Sequence, residues 1–301
     1  MWRVCKFMKF TALAVLFGAS FAYGQFDFSG QWTALYHEDE LERTDPGSSV
    51  GDYLGFPLTD AGRQRADSWD VSLVSLLEHQ CIPHPAAYSL RGPNTLNVST
   101  QKDSVTGQII AYILEGTYGH ATRTIWMDGR QHPSEFVAHT WAGFSTGIWE
   151  GDTLTVETTH VKPGYLRRNG IAHTDAVKIT EHFDLHDKYL TVTSIREDPA
   201  YLSEPLIQTE SWVWNPFQGY GGYKCDAVPE ITARVGQVPH HLPGDNPLLA
   251  EFTEMYGVPQ MAARGGAETM YPEFRRKLKA AAIPNSKVFA DMVAAQQAGN
   301  K

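Results

Sequence analysis

Glu181, His160 and Arg196 have the residue types, and fall at the positions, that proton-transfer chemistry needs. Between Val177 and Val192, apolar residues alternate with polar ones in the period of a half-buried strand pair. With Asp187-Lys188 as a two-residue turn, Leu185 faces Leu190, Phe183 faces Val192, Glu181 faces Ser194 and Ile179 faces Arg196. Glu181 thus falls on the apolar row with Arg196 diagonal to it, and a carboxylate on a dry face is an anomaly. Burial between Ile179 and Phe183 would raise its pKa, while a nearby guanidinium would oppose that shift.

A second hairpin turns at Glu150-Gly151-Asp152, where glycine supplies the positive φ of a tight reversal. Leu154, Val156, Thr158 and His160 share its apolar face with Trp149, Gly147, Ser145, Gly143 and Trp141. If the two hairpins meet across a barrel, His160 can pair with Glu181 and exchange a proton with a bound substrate. The expected catalytic set is Glu181, His160 and Arg196. Trp141, Ser145, Tyr112 and His139 are expected to line the substrate. The reaction would be isomerisation, elimination or hydration of a small apolar or cyclic molecule, with no cofactor. Against this stands a structural reading, in which Glu181 and Arg196 form an ion pair and His160 is a satisfied core histidine. A carrier barrel without chemistry is the first alternative. The second is an interaction protein docking through a helical tail, which requires a lumen packed solid.

The elements that must place these residues are mostly strands. One candidate lies near Trp32, with Trp32, Ala34 and Tyr36 on one face, and others cover 95–101, 108–115, 120–127, 143–149, 153–161, 176–186, 189–197 and 205–214, separated by turn residues. About nine strands predict a mainly β fold, an antiparallel meander closing into a lipocalin-like barrel or curled sheet. One helix is expected near 59–78, capped by Thr59 or Asp60, and residues 79–94 read as loop. Helices near 247–256, 272–282 and 286–297 form a C-terminal extension over 231–301, packed on a barrel domain of 25–230.

Residues 1–24 read as a secretory signal: Arg3, Lys6 and Lys9 precede an apolar run from Phe10 to Phe21 and a small-residue end at Ala22-Tyr23-Gly24. The run is about 12 residues, short of the roughly 20 that span a bilayer, so no membrane span is expected after cleavage. The destination is periplasmic or secreted. There Cys81 and Cys225 form an even pair suited to a disulfide, worth on the order of 4–5 kcal/mol for so long a loop. The rival reading makes His79, Cys81 and His84 metal ligands, a set that lacks a fourth partner and matches no established zinc spacing.

The chain has 301 residues and a net charge of −9, which removes the electrostatic basis for binding nucleic acid. No Gly-rich phosphate loop, Gly-x-Ser-x-Gly elbow or His-Glu-x-x-His helix is present, which disfavours nucleotide enzymes, the usual serine hydrolases and zinc proteases. The expected partner is a small molecule, and no metal or other cofactor is expected. Asp128-Gly129-Arg130 and Arg167-Arg168-Asn169-Gly170 read as turns, the second able to offer cations to an anion.

The run from Thr124 to Pro133, followed by Gly143 to Leu154, resembles a broad family of exported bacterial β-rich proteins of unknown function. Arg168-Asn169-Gly170, His173-Thr174-Asp175, Glu181, Asp198-Pro199 and Tyr201 extend the resemblance, which spans roughly residues 28 to 230, and the Trp-Glu-Gly-Asp-Thr-Leu hairpin is its most specific part. It implies an exported β fold and transfers no catalytic role.

Overall fold

The computed structural model describes residues 26–36, 47–71, 81–91, 95–116, 121–219 and 240–279, with scattered positions of 287–298. The expected signal at 1–24, the metal candidate His79, Cys225 and most of the helix near 286–297 lie outside them. Nine strands close into a barrel: β1 (Gly30–Leu35), β2 (Thr95–Lys102), β3 (Ile109–Gly116), β4 (Arg123–Trp126), β5 (Phe144–Glu150), β6 (Thr153–Thr159), β9 (Lys178–His186), β10 (Tyr189–Glu197) and β11 (Leu206–Trp214). Around the wall the order is β1-β11-β10-β9-β6-β5-β4-β3-β2, closing on β1. A short hairpin, β7 (Gly164–Tyr165) with β8 (Ala172–His173), stands apart from it.

The two hairpin registers agree with the alternation of their sequences. Leu190 pairs with Leu185, Val192 with Phe183, Ser194 with Glu181 and Arg196 with Ile179. Trp149 pairs with Leu154, Gly147 with Val156 and Ser145 with Thr158. Gly151 and Asp187, the turn residues, take positive φ of 70° and 55°. The meander departs from expectation at one seam, because β4 and β5 run parallel. A parallel pair cannot be joined by a tight turn, and the chain spends residues 127–143 on the crossover.

The lumen has two halves. One is hydrocarbon: Phe28, Trp32, Leu114, Phe183, Val192 and Trp212 belong to one buried cluster. Phe28 reaches it from the non-strand segment before β1, its carbonyl held by the Trp32 indole N–H at 2.9 Å. Its ring lies 4.4 Å from that of Tyr112 and 5.4 Å from that of Phe183. The other half is polar and covered by a cap, beneath which a second cluster gathers Tyr53, Phe56, Leu166, Ile171 and Leu202.

Short helices belong to the cap and tail. Helix α1 (Asp60–Asp67) starts on Thr59, whose hydroxyl accepts from the Gly62 N–H, and ends well short of the expected residue 78. Ser68 closes it, its hydroxyl donating to the Arg65 carbonyl. The loop expected over 79–94 contains a short helix, α2 (Ala86–Ser89). In the tail, a 3-10 turn (Pro247–Ala250) leads into α3 (Glu251–Tyr256), and Pro272 opens a helix described over Pro272–Lys279. The tail is bound to the cap through its backbone, with Tyr53 N–H donating to Ala263 at 2.7 Å and Ala267 N–H to Phe56 at 2.9 Å.

Candidate functional site: the polar end of the lumen

Inward positions near the capped end carry an unusual density of charge: Arg123 on β4, Glu181 on β9, Arg196 on β10 and Glu210 on β11 are each under 4% exposed. Arg123 reaches over three neighbouring strands. Its Nε donates to Ser145 at 3.0 Å, Nη2 to Thr158 at 2.7 Å, and Nη1 to Glu181 Oε1 at 3.0 Å, with a second short bond from Nη2 to Oε2. Such a two-pronged charge-assisted pair commits both carboxylate oxygens of Glu181. None is left to exchange a proton with a ligand.

Three expectations are corrected here. His160 is not in the lumen: it takes a left-handed φ of 58°, which breaks the alternation one residue past β6. Its imidazole points to the crossover loop, with Nε2 2.9 Å from the Ser134 carbonyl and Nδ1 2.7 Å from the Thr159 hydroxyl. The Glu181–His160 pair therefore does not form. Second, the diagonal neighbour Arg196 feels the charge of Glu181 but hydrogen-bonds elsewhere, to Gln208 at 3.0 Å and, at 3.5 Å, to Glu210. Third, the expected substrate-lining residues do not share a site. Tyr112 packs on Phe28 in the apolar half, where burial raises its pKa to about 12. Ser145 is held by Arg123 and Thr158, His139 stacks on His160, and Trp141 accepts the Ala86 N–H through its carbonyl. Arg167, expected in an anion-binding turn, is instead buried against Asp52.

The residues that sequence reasoning missed lie around Arg196. Glu210 accepts from Ser194, Arg91 and Arg196. Arg196 is fully enclosed, its Nε has no partner among the described residues, and burial lowers its pKa against the opposing pull of Glu210. Burial lowers the His173 pKa, the Thr174 hydrogen bond and Asp198 oppose that, and the charge of nearby Arg196 lowers it by the smallest amount of the four. His173 is 1% exposed. Its Nδ1–H donates to the Thr174 carbonyl at 2.9 Å, which leaves the lone pair on Nε2, and that atom too has no partner among the described residues. Gly164 is its cross-strand neighbour on β7. A Cβ at Gly164 would come within 3.0 Å of Nε2 and 2.9 Å of Pro85, so any side chain there would crowd Nε2. Arg123 shares an inward row with Ile125, the same anomaly that marked Glu181, and was legible on that ground.

Above Pro85, the Tyr165 hydroxyl makes a short bond to His84 Nδ1, and burial raises the Tyr165 pKa and keeps it a donor. Outside the barrel, an open groove of about 310 Å³ runs between Pro57, Leu206, Ile207, Met270 and Tyr271. Glu204 is the one charged side chain along it, so it lacks converging polar groups.

The two depressed histidines set a pH dependence. His173 and His132 are held neutral mainly by burial, which lowers both pKa values. The unfolded chain takes up these protons first, near the ordinary pKa of about 6.5, so stability is full above that range and falls as pH drops through it. Denaturant titrations should show the loss between about pH 6.5 and 5, at up to about 1.4 kcal/mol per pH unit for His173 alone. A His173→Asn variant with an unchanged slope would disprove the assignment.

No family model, no curated protein and no solved structure matches this chain.

Proposed function

We propose that the protein is a binding vessel for a small polar organic molecule, held at the polar end of the lumen by Arg196 and His173. The observation that carries this reading is the pair of orphaned atoms, Arg196 Nε and His173 Nε2, at the same end of the lumen as the Arg123–Glu181 and Ser194–Glu210 contacts. A buried donor or acceptor left unpaired costs about 1–3 kcal/mol, so a site that keeps two has a use for them. The donor asks for an oxygen acceptor, best an anionic one, and the lone pair asks for an O–H or N–H. A small hydroxy acid presents both.

Thermal-shift titration with glycolate, lactate and related hydroxy acids at millimolar concentration tests this. At least one should raise the melting temperature of the wild type and leave the Arg196→Met/His173→Asn double variant unmoved. A wild type indifferent to the whole series, or a double variant that responds equally, would overturn the reading.

Acid–base chemistry on the ligand is a second reading, favoured by one observation. A histidine with Nδ1–H tied to a carbonyl and Nε2 bare is oriented as a general base. In this version His173 replaces Glu181 and His160, and His173→Asn abolishes turnover more than binding. Export is supported by the basic start and apolar run of residues 1–24 and by the motif resemblance. In an oxidising compartment a Cys81–Cys225 bridge would anchor the cap just before His84.

A further inference from the structure

The crossover loop is tied to the barrel by an unusual chain of side chains. The Ser134 carbonyl can only accept, so His160 Nε2 carries a hydrogen toward it at 2.9 Å. His160 Nδ1 then holds a lone pair, to which the Thr159 hydroxyl donates at 2.7 Å. The Thr159 oxygen accepts from His132 Nδ1 at 2.7 Å, and His132 Nε2 accepts from the Thr146 hydroxyl at 2.9 Å. Every bond has one donor, provided both imidazoles are neutral. The left-handed backbone of His160, strained for a side chain of this size, is what turns the ring into the chain.

The same loop holds the cap. Thr140 N–H donates to His160 O and Lys162 N–H to Thr140 O, each at 2.9 Å, and the next residue, Trp141, accepts the Ala86 N–H at 2.8 Å. Pro85, beside Ala86, is the residue that packs over Gly164 and His173 Nε2.

We infer that His132, Thr159 and His160 form an acid-released latch, which holds the 127–143 loop, and through Trp141 the cap, over the polar end of the lumen. A proton on His160 Nδ1 reverses the bond to Thr159, whose oxygen then faces two N–H donors. A proton on His132 Nε2 forces the Thr146 hydroxyl to turn. With both protonated, His160 keeps its N–H toward Ser134, but two imidazolium rings repel across one hydroxyl, and that repulsion is what pulls His160 off the loop. The charged or titratable groups facing this chain are Glu157, which favours the His132 cation; His160, whose charge opposes it; and His139, stacked on His160 with ring centroids 5.2 Å apart.

The last step, uncovering of His173, rests on the binding site proposed above; the latch itself does not. Hydrogen exchange of the ligand-free protein separates the two, because it reads the loop whether or not any ligand exists. After correction for intrinsic rates, the amides of Thr140, Lys162 and Ala86 should lose protection between about pH 8 and 5 by about tenfold or more beyond any loss at β9 and β10, which report the global pH effect of the buried histidines. Thr159→Val, which lacks the hydroxyl, should exchange fast at both pH values. His160→Asn, which tolerates the left-handed backbone and does not titrate, should lose the pH response if the valine variant fails to fold. Protection unchanged across the range, a pH response that survives in either variant, or release of Thr140 and Lys162 without Ala86 would each overturn the proposal.

Discussion

Glu181→Ala should be among the most damaging single substitutions in the barrel, costing about 3–5 kcal/mol because it leaves a buried guanidinium unpaired. Arg123 is 3% exposed and would retain only the hydroxyls of Ser145 and Thr158, two neutral acceptors for a full charge. At roughly 2–4 °C per kcal/mol for a chain of this size, the melting temperature should fall by about 10 °C. The informative companion is Arg123→Met/Glu181→Leu, which removes both charges and keeps the volume. It should recover most of the loss, since ion pairs of this kind offset their own desolvation and often add little net stability. A cost below about 1 kcal/mol for Glu181→Ala would mean that water reaches the pair. A double variant as unstable as the single one would mean that the four-strand clamp, rather than charge matching, is what the barrel needs there.

The clamp also explains how much of this protein could be read before its coordinates. Local rules carry the strands: alternation set the inward rows of β9 and β10, and the glycine and aspartate turns set their registers. Those rules hold while the backbone stays extended. They fail at His160, where one left-handed residue turns the side chain away from the row that Thr158 still follows. Partner choice is less legible still. Glu181 and Arg196 are diagonal neighbours as expected, yet Glu181 is claimed by Arg123, three strands away around the wall, because a guanidinium on β4 can span the lumen. Arg91 arrives from a loop without periodicity, and nothing local ties it to Glu210. His173 sits in a motif that gives no sign of its role; its surroundings depend on the β7–β8 hairpin and on Pro85, contacts that no window of sequence contains.

Phe28→Ala is the second large effect, about 3–5 kcal/mol, and it tests whether the apolar half is closed by packing from a segment outside the sheet. Phe28 is fully buried, yet it precedes β1 and is fixed by one backbone contact, the bond from the Trp32 indole, and by its ring neighbours. Its removal would leave a void bordered by Tyr112 and Phe183, where the wall strands cannot collapse without breaking the ladders that close the barrel. An apolar void of that kind stays dry and takes up small aromatic solutes. Benzene should therefore raise the melting temperature of the variant and leave the wild type unchanged. Phe28→Leu, which refills part of the space, should lose less than half as much as alanine does. If alanine were tolerated within about 1 kcal/mol and benzene had no effect, the segment at 26–29 would be a passive lead-in to β1, and the lumen would owe its closure to the wall residues alone.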